Sequence, residues 1–140
     1  MKTSKVLVID DTQSIREELK DILCFEGMEV ITATNGQEGI DRAKEYSPDL
    51  ILCDIMMPIK DGFQVFNELQ HDAVLKDTPF IFLSAKATTE DVREGMILGA
   101  DDYITKPFDI DLLISSIKSR LEKVIKRKGS EKEKRETLQY

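Results

Sequence analysis

Five short apolar stretches alternate with five stretches of helical periodicity, and this alternation limits the fold more than any other feature. The apolar stretches have the length of β-strands, and we predict strands at residues 5–9, 29–33, 49–53, 79–83 and 101–105. The segments between them repeat apolar residues every three or four positions, which predicts helices at 14–25, 36–46, 62–70 and 88–98 and from about Asp109 onward. Strands that alternate with helices in this way form a parallel sheet with helices on both faces, so the fold class is α/β.

The length of 140 residues is close to that of one ordinary domain and short for two. Hydrophobic residues make up 41% of the chain and charged residues 34%, and no apolar segment approaches the roughly 20 residues that cross a bilayer. The apolar stretch near the N-terminus is too short for a signal peptide and ends in two acidic residues. We therefore expect a globular domain in the cytoplasm.

The charge of the chain is unevenly distributed. Residues 118–140 contain nine Lys or Arg and four Glu, whereas residues 1–117 contain eleven basic and twenty-three acidic residues. The acidic body would repel nucleic acid phosphates, which argues against direct nucleic acid binding. We predict a folded domain over residues 1–125, followed by a charged C-terminal tail or linker over residues 126–140.

Several further residues are interpreted as packing or surface residues. Cys24 and Cys53 lie inside apolar patterns without metal-ligand spacing, which predicts two buried free thiols. In the fourth predicted helix, Val92, Met96 and Ile97 repeat at helical spacing.

Polar side chains follow four of the five predicted strands, at the point where each strand ends. Asp10 and Asp11 follow the first strand and Asp54 the third, while Ser84 and Lys106 follow the fourth and the fifth. Ligands of doubly wound sheets bind outside the carboxyl ends of the strands, so these side chains converge at the edge where chemistry is expected.

Taken singly, each of these residues has an ordinary structural explanation. An Asp pair before a helix is more often a helix cap than a metal site, and Asp54 could simply begin a turn. Taken together, however, three carboxylates in a partly buried crevice are costly to ionise unless a cation joins them. A site with only oxygen ligands favours a hard cation, and Mg²⁺ is the usual one in cells.

The sequence closely resembles the receiver domain of two-component response regulators over about residues 4–125. Four motifs carry the resemblance, in the order VIDD, DLILCDIMMPIKDGF, IFLSA and GADDYITKPF. The resemblance implies a flavodoxin-like fold with the strand order 2-1-3-4-5, an order that is known for this family and does not follow from the periodicity.

The resemblance also implies a role for each residue at the strand ends. Asp54 matches the phosphoacceptor, which takes a phosphoryl group from a phosphohistidine on a histidine kinase or phosphotransfer protein. Asp11, Asp54 and the backbone carbonyl of Met56 match the direct Mg²⁺ ligands, and Asp10 matches a residue that acts largely through water. Lys106 matches a cation that contacts the phosphoryl group.

Four further positions match the switch and access features of the family. Ser84 and Tyr103 match a pair in which the hydroxyl moves toward the phosphoryl group and the aromatic ring turns from an exposed to a buried rotamer. Ala85 matches a small residue that leaves access to the site, and Pro107 matches the residue after a cis peptide bond. The expected readout is a changed surface over the fourth helix, fifth strand and fifth helix, which signals to an output domain or partner.

Two other functions are weighed against this one. A phosphatase of the haloacid dehalogenase type also uses a strand-end Asp with Mg²⁺, but it needs a second acid two residues later, where this chain has Thr12 or Met56. A scaffold domain would not need a full set of site residues. The single histidine, His71, lacks the surroundings of a phosphodonor, so we expect a receiver that is not a turnover enzyme and catalyses only its own phosphorylation and slow dephosphorylation.

The last predicted helix leaves the mode of output open. A helix from Asp109 to Lys128 would be about 30 Å long, which exceeds what one face of a small domain requires. The projecting end could lead to an output domain or form a homodimer contact.

Overall fold

A computed structural model describes the backbone of residues 3–138 and the side chains of residues 3–124. Five strands alternate with five helices, and the predicted ends agree with the observed ends to within one residue wherever both ends were predicted. The elements are β1 (Lys5–Ile9), α1 (Gln13–Phe25), β2 (Glu29–Ala33), α2 (Gly36–Tyr46), β3 (Leu50–Cys53), α3 (Gly62–Gln70), β4 (Phe80–Ser84), α4 (Thr89–Leu98), β5 (Asp102–Thr105) and α5 (Ile110–Leu138).

The five strands form one parallel sheet in the order β2-β1-β3-β4-β5, which confirms the predicted topology. The order reverses between β1 and β3, because the chain passes first to one side of β1 and then to the other. Crevices for ligands form at such reversals, beyond the carboxyl ends of the strands.

The side chains of the sheet divide the core into two layers, since successive residues of a strand point to opposite faces. The aromatic layer lies against α2 and α3 and includes Phe66, Phe80, Phe82 and Tyr103. The aliphatic layer lies against α1 and α5, and its buried residues include Leu19, Leu23, Leu113, Ile117 and Leu121. The inner strands β3 and β4 are buried on both faces, which explains their continuously apolar sequences.

The pairs Asn35-Gly36 and Asp61-Gly62 have the composition of turns, but each begins a helix. Asn35 is the N-cap of α2 and accepts a hydrogen bond from the Glu38 amide at 2.8 Å. Asp61 is the N-cap of α3 and forms a capping box with Gln64. The same residue types serve turns and caps, because both uses depend on a short side chain that accepts from a nearby amide.

Some packing predictions are wrong. Cys53 is buried as expected, but Cys24 is exposed because it lies off the apolar face of α1. Met96 is 42% exposed and Ile97 76% exposed, so α4 does not pack through these residues. α5 extends to Leu138, beyond the Lys128 end considered from the sequence. The side chains of residues 126–140 lie outside the described residues, so the role of this segment as a charged tail or linker stays a prediction.

Within the described part of the chain, no helix combines the length and the apolar character that a membrane span requires.

Candidate functional site

Neighbouring strands bring the predicted site residues together at the carboxyl edge of the sheet. Asp10 follows β1, Asp54 follows β3, and Lys106 follows β5, while Ser84 is the last residue of β4. Asp10, Asp11 and Asp54 each place a carboxylate oxygen within 4.8 Å of the others.

Asp10 is held by hydrogen bonds of its side chain and its backbone and is only 2% exposed. One carboxylate oxygen accepts from the Thr12 amide at 2.9 Å and the other from the Lys106 ammonium at 2.7 Å. The backbone carbonyl accepts from the Arg16 guanidinium at 2.7 Å. The N-cap of α1 is Thr12, which makes no side-chain capping bond, so the Asp pair does not cap this helix.

Asp54 is 7% exposed, and its carboxylate lies near one negative group, Asp10, and one positive group, Lys106. One carboxylate oxygen accepts from the Ile55 amide at 2.7 Å, and the other lies 3.4 Å from the Lys106 ammonium. Burial, and then the negative charge of Asp10, raise the pKa of Asp54 above its usual value, against the lowering effect of Lys106. Lys106 therefore neutralises only part of the negative charge in this site.

The backbone around Asp54 is closely packed. A Cβ atom on Gly62 would lie 2.3 Å from the Asp54 carbonyl oxygen, so only glycine fits at the start of α3. In the same loop, Ile59 adopts a φ of 72°, which is unusual for a β-branched residue, and its side chain is 73% exposed.

Lys106 reaches the site from the loop after β5, and its side chain is 16% exposed. Burial acts to lower the pKa of Lys106, but the hydrogen bond and charge of Asp10 and the charge of Asp54 outweigh it, so this pKa lies above its usual value. The ammonium is therefore a permanent charge at neutral pH. The peptide bond between Lys106 and Pro107 is cis.

An open cavity of about 450 Å³ lies at the mouth of the site. Asp11 and Met56 line it and are both exposed, whereas Asp54 lies deeper. Its other lining residues are Ile55, Met57, Pro58, Asp61, Phe63 and Lys86.

The donor set fits a hard divalent cation. Three carboxylates contribute oxygen ligands at one point, and one ammonium cannot balance their charge. Carboxylate oxygens are preferred by Mg²⁺, and a further positive charge would offset the repulsion between the carboxylates of Asp10 and Asp54.

Ser84 and Tyr103 lie on the same side of the site and are both buried. The Ser84 hydroxyl accepts from the Lys86 amide at 3.3 Å, and the Tyr103 hydroxyl donates to the Lys86 carbonyl at 2.6 Å. Burial, followed by the charge of Asp91, raises the pKa of Tyr103. The ring therefore occupies the inward position here, while Ala85 is exposed at the entrance.

Arg16 also contributes to the site, and the sequence pattern does not predict it. Its guanidinium fixes the carbonyl of Asp10 from the first turn of α1. The only signal in the sequence is an arginine six residues after Asp10, and this spacing alone does not distinguish it from a solvated surface residue.

These observations define a class of protein: an open doubly wound sheet whose carboxyl edge holds a buried aspartate, two further carboxylates and a lysine. The sequence comparisons agree, because the family model for the response regulator receiver domain matches residues 6–118. The chain belongs to this family and is a receiver domain of response regulators.

The relatives include both short and long proteins. The chain is 38% identical to Protein PilG of Pseudomonas aeruginosa, with 84% of this chain and 87% of PilG covered. It is 40% identical to the transcriptional regulatory protein DltR of Streptococcus agalactiae, and the match covers 83% of this chain but 51% of DltR. The chain therefore spans about half the length of this second relative.

Solved structures agree with the fold. The receiver domain of the Francisella response regulator 1452 matches with a TM-score of 0.82 and 35% identity, covering 87% of this chain and 99% of the other. The chemotaxis protein CheY4 of Vibrio cholerae matches with a TM-score of 0.79 and 31% identity, covering 84% of this chain and 98% of CheY4.

Proposed function

We propose that Asp54 accepts a phosphoryl group from a phosphohistidine on a histidine kinase or phosphotransfer protein. The observation that carries the proposal is the position of Asp54, which is buried beside Asp10 and Lys106 and is followed directly by two residues that line the cavity, Ile55 and Met56. A carboxylate in this position is a competent nucleophile, and the surrounding residues have only to align it and balance its charge.

The remaining site residues have complementary roles in this proposal. Asp10, Asp11, Asp54 and the backbone carbonyl of Met56 would hold Mg²⁺, with Asp10 acting largely through water. When bound, Mg²⁺ supplies positive charge that offsets the repulsion between the carboxylates and phosphoryl oxygens. Lys106 already contacts both buried carboxylates, and its ammonium would bind a phosphoryl oxygen on Asp54.

The signal would pass through Ser84 and Tyr103. A phosphoryl group on Asp54 offers the Ser84 hydroxyl a hydrogen-bond acceptor, and movement of Ser84 leaves the inward position of Tyr103 as the favoured one. The exposed position of Ala85 keeps the entrance open. The readout would be the surface of α4, β5 and α5, which carries exposed apolar residues such as Ile97 and Leu112.

The protein would act as a signalling switch in the cytoplasm, with slow loss of its own phosphoryl group as the only turnover. Its partners would be the phosphodonor protein and either an output domain or a second copy bound through the α4, β5 and α5 surface. The length of DltR supports an output domain after α5, and the length of PilG supports a receiver that acts alone.

The proposal is tested by incubating the protein with acetyl phosphate and Mg²⁺ and measuring the intact mass. We expect the wild type to gain one phosphoryl group, and Asp54→Asn to gain none, because the amide is not a nucleophile. A parallel reaction with EDTA should abolish the gain.

Two outcomes would contradict the proposal. Labelling of Asp54→Asn would place the acceptor elsewhere, and repeated turnover of a phosphoester by the wild type would indicate a phosphatase. Asp61→Asn is a useful control, since Asp61 lines the cavity but caps α3 and should leave labelling intact.

A further inference from the structure

We propose that Gly95 of α4 controls the equilibrium between the inward and outward rotamers of Tyr103, because it leaves the space that the inward ring occupies. This inference rests on the proposed function, because it assigns a positioning role in the switch of the same site. Gly95 has no side chain and would act through the space that it leaves for Tyr103.

The space around Gly95 is too small for any side chain. A Cβ atom built on Gly95 would lie 2.8 Å from Cδ2 and 3.1 Å from Cε2 of Tyr103. It would also lie 3.2 Å from Cδ2 of Phe82. The first distance is shorter than real Cβ contacts, so even alanine would force the ring or the helix to move.

The glycine is not explained by the needs of the helix. Gly95 lies in the interior of α4, where glycine destabilises a helix relative to alanine. Its backbone is helical rather than left-handed, in contrast to Gly99, which ends α4 with a φ of 108°. The space for the Tyr103 ring is therefore the physical reason for a glycine at this position.

The wall opposite Gly95 cannot easily give way. Phe82 is fully buried and packs edge-on against Phe63, with ring centroids 5.3 Å apart. The Tyr103 hydroxyl donates a hydrogen bond to the Lys86 carbonyl, so a tilt of the ring away from Gly95 within the inward position would strain this bond. A methyl group at position 95 would therefore act chiefly on Tyr103, by disfavouring its inward rotamer.

A shift of the rotamer equilibrium changes the affinity for ligands that need the inward ring. If only a fraction of molecules holds the ring inward, the apparent affinity falls in proportion to that fraction. Gly95→Ala should therefore weaken the binding of beryllofluoride, a mimic of the phosphoryl group, by on the order of tenfold, or about 1.4 kcal/mol.

The test uses a double-mutant cycle with Gly95→Ala, Tyr103→Ala and the combined variant. Beryllofluoride affinity in the presence of Mg²⁺ is measured by calorimetry. We expect Gly95→Ala to weaken binding in the wild-type background and to have no effect in the Tyr103→Ala background, where the ring is gone. Arg93→Ala, an exposed change on the same helix, is the matched control and should leave binding unchanged.

A second measurement reports the ring directly. The chain has three tyrosines and no tryptophan, so Tyr46→Phe with Tyr140→Phe leaves Tyr103 as the sole fluorophore. Iodide should quench this fluorescence more strongly when Gly95→Ala is added.

The possible results separate this inference from the proposed function. Unchanged affinity and quenching in Gly95→Ala would overturn it, and so would equal weakening in the Tyr103→Ala background. Gly95→Ala could fail to fold alone while Gly95→Ala with Tyr103→Ala folds, and this result would support the contact between position 95 and the ring. Failure of both variants to fold would overturn the inference. If no variant binds beryllofluoride, the proposed function fails, and the iodide result alone decides the role of Gly95.

Discussion

Replacement of Lys106 by methionine should destabilise the protein strongly in the absence of divalent cations. The ammonium lies 2.7 Å from Asp10 and 3.4 Å from Asp54, and Coulomb's law with an effective dielectric constant of about 20 gives attractions of about 6 and 5 kcal/mol. The cost of removing these charges from water offsets much of this. Loss of one partner of a buried pair typically costs about 3–5 kcal/mol, and we expect about 3 kcal/mol here.

Lys118→Met is the matched control for this change. Its ammonium lies 2.7 Å from a Glu26 carboxylate, the same distance as in the Lys106 pair, but the Lys118 side chain is 50% exposed. An exposed pair of this kind contributes less than about 1 kcal/mol. The two lysines therefore separate the effect of burial from that of distance.

Thermal and urea unfolding in EDTA measure the difference. Lys106→Met should lower the melting temperature by about 10 °C, while Lys118→Met should lower it by about 3 °C or less. Addition of Mg²⁺ should recover part of the loss in Lys106→Met, because the unpaired carboxylates then have a cation. If both variants lose the same stability in EDTA, the site does not hold Lys106 in a buried ion pair and the reasoning is wrong.

Three further predictions concern thiols, titration and backbone strain. Native protein should react with one equivalent of maleimide, at the exposed Cys24, and unfolded protein with two, as measured by intact mass; rapid native labelling of Cys53 would show that its burial is wrong. Burial, and then the charge of Asp91, raise the pKa of Tyr103, so ionisation of the phenol opposes folding. The stability contributed by this ring is therefore intact below the usual pKa of about 10 and falls as the pH rises beyond it. Absorbance at 295 nm should show one tyrosine that ionises late, and Tyr103→Phe should remove this late phase and no other. Ile59→Gly should raise the free energy of unfolding by about 0.5–1 kcal/mol in urea titrations, because Ile59 has a φ of 72° and a mostly exposed side chain; a loss of stability would mean that its packing outweighs its strain.

The sequence is sufficient to predict the sheet and its functional edge. Strands buried on both faces are continuously apolar, and their ends are marked by Asp10, Asp54, Ser84 and Lys106. Parallel strands present their carboxyl ends on one edge, so strand ends alone predict which side chains meet. The strand order came from resemblance, because periodicity does not determine which strands are neighbours.

The packing of α4 could not be predicted in the same way. Hydrophobic periodicity points to Val92, Met96 and Ile97, and of these only Val92 packs against the core. The buried residue of α4 is Gly95, whose lack of a side chain gives no hydrophobic signal. The rotamer of Tyr103 is likewise invisible in the sequence, since it depends on the space left by Gly95 and on the Lys86 carbonyl. Long-range steric fit of this kind exists only after the chain has folded.

The division of the core into an aromatic and an aliphatic layer has a spectroscopic consequence. The rings that contact one another, including Phe63, Phe82 and Tyr103, lie on the face of the sheet that packs against α2 and α3. Ring currents shift the resonances of nearby methyl groups, so methyl spectra should record a rearrangement on that side through groups such as those of Ile9 and Val65. The aliphatic layer has one partly buried ring packed against it, Phe108, so the methyl groups of Leu19 and Leu113 should respond to a movement of Tyr103 less than those of Ile9 and Val65.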